Sequence, residues 1–129
     1  LSSYLGAASG YAAYIDGGSI GFSVRRSTLV SAGGAGMSAY FFQTPNLELE
    51  DSRVDNTGAG DALLLDGIIG VSIVRSTITA TASAPTAAIN IDFSSAVVIS
   101  NSYVRGLRGV WVVGSTNTVV SLSRVYAIG

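Results

Sequence analysis

Two glutamates, Glu48 and Glu50, alternate with leucines in the segment LELE, and this spacing could place two carboxylates side by side. In a β-strand both side chains would point to the same face, roughly 7 Å apart. Two carboxylates can hydrolyse a glycosidic bond when they face one cleft and burial raises the pKa of one of them. Such a site also needs a groove with exposed aromatic side chains, which the sequence does not indicate here. We therefore predict no catalytic residues.

A second set of polar residues ends successive apolar runs such as AYFFQ and ALLLD, which we align as one column. The column consists of Asp16, Gln43, Asp66, Asp92 and Gly114. Carboxylates in a row could bind Ca²⁺ or the hydroxyl groups of a sugar. Alternatively, Asp at a turn accepts hydrogen bonds from the backbone two residues further on. Only Asp66 and Asp92 are neighbours in this alignment, so we favour the turn role and predict no metal site.

The composition excludes several classes of chemistry. The chain has no His and no Cys, so it lacks the usual ligands of zinc, copper and iron–sulfur clusters, and a base for a serine nucleophile. All seven basic residues are arginines and the net charge is −1, which gives no basic footprint for nucleic acid. No apolar run approaches the roughly 20 residues that span a bilayer. We expect no cofactor, no nucleic-acid partner and no membrane span.

A repeated phrase, in which Ser is followed two residues later by Leu, Val or Ile, organises the whole chain. The pairs are Ser3/Leu5, Ser27/Leu29, Ser52/Val54, Ser76/Ile78, Ser102/Val104 and Ser123/Val125, at intervals of 21 to 26 residues. Such a period is typical of a solenoid, in which stacked coils need equivalent side chains at equivalent positions. We interpret the serines as corner residues whose hydroxyl groups bond to the turn backbone.

Each period holds three short runs rich in β-forming residues, separated by Gly, Ser, Asn and Asp, and no run has helical periodicity. The sequence predicts an all-β solenoid of about five coils with three strands per coil. Residues 1–129 would form one domain, which we interpret as part of, or a stacking unit in, a larger assembly. We predict two interior ladders, one of Leu5, Leu29, Val54, Ile78 and Val104, the other of Ile15, Phe42, Leu65, Ile91 and Val113.

The segments GDALLLDGIIGVSIVRSTI and VWVVGSTNTVVSLSRV resemble the repeats of right-handed parallel β-helices of the pectate-lyase-like superfamily. The resemblance covers essentially the whole chain. It implies a right-handed parallel β-helix, but that fold carries lyases, hydrolases, phage tailspikes and surface adhesins. A pectate-lyase-like site would be expected to show clustered Asp ligands with Arg or Lys bases, and a polygalacturonase-like site an Asp pair with His. The sequence shows neither pattern.

Charged residues alternate in sign at the coil spacing. The position directly before the repeat Ser is occupied in successive coils by Arg26, Asp51 and Arg75. The position one residue earlier is occupied by Arg25 and Glu50. We predict ion pairs along the solenoid axis, which would also oppose slippage of the coil register.

One predicted outer face is apolar, because the strands that end at the Asp column would point Tyr14, Phe41, Leu64 and Val112 outward. Exposed apolar patches of this kind mark interaction surfaces. We therefore expect a structural or adhesive module of a secreted, cell-surface or fibre protein, virion surfaces included. Its partners would be further copies or further β-helix coils on this face, with a polysaccharide as another candidate. The alternative function is a carbohydrate-active β-helix, such as a polysaccharide lyase, a hydrolase or part of a tailspike.

Overall fold

A computed structural model describes residues 3–17, 20–34, 36–81 and 86–128 of the chain. Within these residues every regular element is a β-strand, and all strand pairs are parallel. The strands form three sheets whose neighbouring members are three elements apart in the chain. The protein is therefore a β-solenoid of about five coils with three strands per coil, which confirms the predicted fold class.

The first sheet contains β1 (Tyr4–Ala7), β4 (Thr28–Ser31), β7 (Arg53–Asn56), β10 (Thr77–Ala80), β13 (Tyr103–Gly106) and β16 (Arg124–Ala127). The second contains β2 (Ala13–Ile15), β5 (Ala39–Phe42), β8 (Leu63–Asp66), β11 (Ala87–Asp92) and β14 (Arg108–Val113). The third contains β3 (Ser23–Arg25), β6 (Leu47–Glu50), β9 (Ile69–Val74), β12 (Ser95–Ser100) and β15 (Thr116–Ser121).

The interior ladder predicted for the first sheet is confirmed. Its members pair in order along the axis: Leu5, Leu29, Val54, Ile78 and Val104. The last four of these side chains are fully buried. Strand alternation turns every second side chain inward, so one aliphatic residue per coil fills the same place in the core.

A left-handed corner precedes the serines of the repeat from Ser27 to Ser123. The corner residues have φ between 47° and 49° and are Arg26, Asp51, Arg75, Asn101 and Leu122. The hydroxyl of Ser76, for example, donates to the carbonyl of Val74 at 2.9 Å and accepts the N–H of Ser52 at 3.2 Å. Each serine thus links its own turn to the preceding coil, so the corner role predicted for these residues is confirmed.

The second sheet has a register that differs from the prediction. Its corner residues with positive φ are Gln43, Gly67, Phe93 and Gly114, so the corner lies one position after Asp66 and Asp92. Asp66 and Asp92 therefore stand beside Phe42 and Val113, whereas Gln43 and Gly114 belong to the next column. The predicted ladder was wrong at the same two strands, because Phe41 and Val112, and not Phe42 and Val113, continue the column of Ile15, Leu65 and Ile91.

Ion pairs join neighbouring coils on the outer face of the third sheet, and they include two of the predicted pairs, Arg25 with Glu50 and Asp51 with Arg75. Arg25 lies 2.6 Å from Glu48 and 3.4 Å from Glu50. Arg75 contacts Glu50 and lies 2.7 Å from Asp51. The hydrogen bond from Arg75 lowers the pKa of Asp51. Since these groups are well exposed, solvent screens the attraction, and the pairs act mainly by favouring one register.

Candidate ligand-binding face

The four residues predicted to form an interaction face each lie in a different environment. Tyr14 points outward and is 47% exposed. Leu64 also points outward but is only 7% exposed. The outward placement of Phe41 was wrong, because its side chain is fully buried and pairs with the inward Leu65. Val112 was misplaced in the same way: it continues the inward column above Ile91, although it is 45% exposed in the last coil.

Three alanines of the same segments also point inward: Ala39, Ala62 and Ala88 are fully buried within the core. The prediction of an apolar outer face was therefore wrong for this sheet. The face has a more varied chemistry, which follows from the corrected register.

The outward column of the second sheet consists of Tyr14, Tyr40, Leu64, Asn90 and Trp111. A parallel column beside it contains Phe42, Asp66, Asp92 and Val113. We call the outer surface formed by these two columns, with Tyr11, Asp61 and Arg108 at its edge, the aromatic–acidic face. Tyr40, Asn90 and Trp111 lie on this face and were not among the four residues predicted to form it.

Aromatic rings cover the end of this face nearest the first coil. The ring of Tyr14 lies 5.1 Å from that of Tyr40 in an edge-to-face arrangement, and 5.4 Å from that of Tyr11. The ring of Phe42 lies 6.3 Å from that of Tyr40. These separations lie in the range preferred by interacting aromatic pairs, so the rings support one another in fixed positions.

Polar side chains occupy the middle of the face. Tyr40 donates its hydroxyl hydrogen to Asp66 at 3.2 Å, and Asn90 donates from Nδ2 to Asp61 at 3.1 Å. Asp61 is held in turn by the backbone N–H of Ala87 at 2.6 Å. Two buried oxygens, Oδ1 of Asn90 and Oδ1 of Asp92, have no hydrogen-bond donor among the described residues. Both oxygens are shielded from solvent, so the polar contacts in the middle of the face are made among its own side chains and backbone.

The surroundings of this polar region shift two ionisation equilibria. Burial, followed by the hydrogen bond to Asp66, raises the pKa of Tyr40 to about 12. Burial, followed by the charges of Asp66 and Asp61, raises the pKa of Asp92. Both shifts disfavour additional negative charge at this face.

Trp111 lies at the end of the face towards the last coil. Its side chain is 41% exposed, and the guanidinium carbon of Arg108 lies 3.8 Å from the ring centre. This cation–π contact holds the indole while leaving part of it open to solvent. The face therefore carries aromatic groups at both ends and polar groups between them.

Glu48 and Glu50 lie on a different surface, the outer face of the third sheet, where both contact Arg25. Asp61, Asp66 and Asp92, in contrast, face the second-sheet aromatic groups. Among the described residues, no three His, Cys, Asp or Glu side chains lie close enough together to hold a metal ion. No helix long and apolar enough to span a membrane occurs in the described part of the chain.

A second column of hydroxyl groups could have revealed the correct register. Thr44, Ser94 and Ser115 each follow a left-handed corner residue, as the serines of the repeat do. Ser94 donates its hydroxyl hydrogen to the backbone carbonyl of Asp92 at 2.9 Å and its N–H to the hydroxyl oxygen of Ser115 at 2.9 Å. The column is hard to recognise in the sequence because Ile68 replaces the hydroxyl residue in the third coil.

Comparisons with known proteins identify no family for this chain. No protein-family model and no curated protein matches it. Among solved structures, it is similar to QnrB1, described as a plasmid-mediated fluoroquinolone resistance protein, with 15% identity and a TM-score of 0.24. The match covers 94% of this chain and 73% of that chain. Such a distant likeness supports no functional argument.

Proposed function

We propose that the protein is a non-catalytic adhesive module that binds a polysaccharide through its aromatic–acidic face. The observation that carries this proposal is the exposure of Tyr14 and Trp111 on one sheet face, with Asp66, Asn90 and Asp92 between them. Aromatic rings provide apolar surface for sugar rings, and carboxylate and amide groups provide hydrogen-bond partners for hydroxyls.

The rigidity of the solenoid favours such binding. Each outward side chain belongs to a strand of a five-stranded sheet, and each strand is hydrogen-bonded to one or two neighbouring strands. The rings of Tyr11, Tyr14 and Tyr40 also contact one another before any ligand arrives. A ligand would therefore order few side chains on binding, which lowers the entropic cost of association.

The arrangement of the carboxylates supports binding over hydrolysis. Glu48 and Glu50 contact Arg25, and the aromatic rings that could position a sugar lie on another sheet. Asp66 and Asp92 occupy neighbouring strands of the same sheet, with the Tyr40 hydroxyl bonded to Asp66.

Exposed apolar side chains also favour a second function, which is assembly with further copies or coils. Trp111, Val113 and Tyr14 each expose more than a third of their surface on the aromatic–acidic face. We also infer that the protein has an extracellular, cell-surface or virion-surface location and that it belongs to the pectate-lyase-like superfamily. The repeat pattern of the sequence supports both inferences. Sedimentation velocity distinguishes the two functions, since assembly predicts concentration-dependent association of the chain alone.

The binding proposal is tested by native electrophoresis through gels that contain soluble polysaccharides. Wild-type protein should be retarded, and Trp111→Ala or Tyr14→Ala should bind about tenfold more weakly because each removes an aromatic contact. Tyr103→Ala is the matched control, since Tyr103 is an exposed tyrosine on the first sheet. Equal weakening by Tyr103→Ala, or unchanged retardation of Trp111→Ala, would show that the face is not the binding surface.

A further inference from the structure

The sequence contains two Asp–Gly pairs, Asp16–Gly17 and Asp66–Gly67. Both lie where a strand of the second sheet ends, the first after β2 and the second at the end of β8. An Asp–Gly pair can rearrange without an enzyme, because glycine has no side chain that keeps its backbone nitrogen away from the aspartate carboxyl group. The structure places the two pairs in different surroundings, so their reactivity should differ.

The nitrogen of Gly67 is held by the hydrogen bonds that join neighbouring coils. Its N–H donates to the backbone carbonyl of Asp92 at 3.0 Å, and Gln43 donates in the same way to the carbonyl of Asp66 at 2.9 Å. The Asp66 carboxylate also accepts the hydroxyl hydrogen of Tyr40 at 3.2 Å. Asp66 and Gly67 are half-buried. Attack of this nitrogen on the carboxyl group would first require these contacts to break.

The nitrogen of Gly17 is placed against its own aspartate instead. Its N–H donates to Oδ1 of Asp16 at 2.6 Å, and both residues are exposed. Among the described residues, no backbone carbonyl of the next coil accepts this N–H. Because Cγ of Asp16 is bonded to Oδ1, the contact also brings Cγ next to the nitrogen. The two atoms that must join for the rearrangement are therefore already neighbours.

We propose that Asp16 is a site of spontaneous isomerisation to isoaspartate. The nitrogen of Gly17 bonds to Cγ of Asp16 and gives up its hydrogen, while the hydroxyl group of the protonated carboxyl leaves, so one water is released. The product is a five-membered succinimide ring. Water then adds to a ring carbonyl. Opening at the main-chain carbonyl leaves the chain joined through Cγ, as isoaspartate, and opening at Cγ restores aspartate. The mass is unchanged overall, and water is the only co-reactant.

The position of the site in the sheet also allows the product to form. Isoaspartate adds one atom to the main chain. After β2 this atom lies at the edge of the sheet, where the strand pairs only with β5. At the end of β8 the same atom would disturb pairing on both sides, with β5 and with β11. The fold therefore favours the rearrangement at Asp16 and opposes it at Asp66.

Prolonged incubation of the folded protein, followed by tryptic digestion and liquid chromatography with mass spectrometry, tests the inference. Trypsin separates the two pairs into peptides 1–25 and 54–75. A peptide with isoaspartate keeps its mass, elutes at a different time and resists endoproteinase Asp-N at that residue. Isoaspartate should accumulate about tenfold faster at Asp16 than at Asp66, because the nitrogen of Gly67 must first give up a hydrogen bond.

Two controls separate the effect of the fold from that of the Asp–Gly sequence. In urea-unfolded protein both pairs should react at similar rates, because the contacts that distinguish them are gone. Gly17→Ala should slow the reaction at Asp16 and leave Asp66 unchanged, since a methyl group beside the nitrogen hinders its attack. The added Cβ would meet its nearest neighbour, the side chain of Gln43, at 3.6 Å, so this variant should fold normally.

Three results would overturn the inference. The first is equal accumulation at Asp16 and Asp66, or none at Asp16, in the folded protein. The second is a difference between the two pairs that persists in urea, since the fold would then not be its cause. The third is an unchanged rate at Asp16 in Gly17→Ala, which would show that the Gly17 nitrogen is not the attacking atom.

Discussion

The hydroxyl group of Ser76 shows how one side-chain atom maintains the spacing of the solenoid. Its oxygen donates to the carbonyl of Val74 within its own turn and accepts the N–H of Ser52 from the preceding coil. Ser76 itself donates its N–H to the hydroxyl of Ser102. The corner residue Arg75 adopts positive φ, so the chain turns sharply here and its backbone groups need these partners.

Substitution of Ser76→Ala should lower the free energy of unfolding by about 1–3 kcal/mol. The physical reason is that the buried N–H of Ser52 would lose its acceptor while remaining shielded from water. Urea unfolding followed by circular dichroism measures the change. The outward-pointing Ser72 in the same coil is the control, and Ser72→Ala should be nearly neutral. Equal stability of the two variants would contradict a structural serine ladder.

At the scale of the strand, one residue of register decides which aromatic side chains face solvent. In β5 (Ala39–Phe42), Phe41 is fully buried and its ring lies 6.1 Å from that of Phe22. The adjacent Tyr40 points outward to the aromatic–acidic face. Because strand side chains alternate, a shift of one position would exchange these two roles.

The register of β5 predicts a large difference between its two phenylalanines. Phe41→Ala should cost about 3–5 kcal/mol of unfolding free energy, as expected for a fully buried phenylalanine. Phe42→Ala should cost clearly less, because Phe42 is only partly buried and packs against Tyr40 on the outside. Denaturant unfolding of both variants gives the comparison. A larger loss for Phe42→Ala would restore the register first predicted from the sequence.

The sequence predicts the register of a sheet only where it marks the corner residues of the coils. In the first sheet the serine repeat marks every corner, so the ladder from Leu5 to Val104 follows directly from the spacing. In the second sheet the run AYFFQ ends on the corner residue Gln43, whereas ALLLD ends one position before the corner, at Asp66. Aligning the two polar ends shifts the strand by one residue. That shift assigns Tyr40 and Trp111 to the interior, and the backbone is needed to choose between this register and the one that places them outside.

At the scale of the whole molecule, the solenoid presents sheets of different chemistry around one core. The third sheet carries the ion pairs of Arg25 and Arg75 with acidic residues. The second sheet carries aromatic rings, and the carboxylates of Asp66 and Asp61 there accept hydrogen bonds from Tyr40 and Asn90. Because stacked coils repeat each outward position along the axis, a whole sheet face can match an extended ligand.

The central claim is that a polysaccharide is held on the second sheet, and Trp111 reports on it directly because it is the only tryptophan in the chain. The measurement is a titration of tryptophan fluorescence with hydroxyethyl cellulose and galactomannan. We predict a saturable change in emission, which should persist in Tyr103→Ala and require a higher polysaccharide concentration in Tyr14→Ala. Retardation of the protein in the gels without any change in Trp111 emission would contradict the claim, because binding would then lie elsewhere on the solenoid.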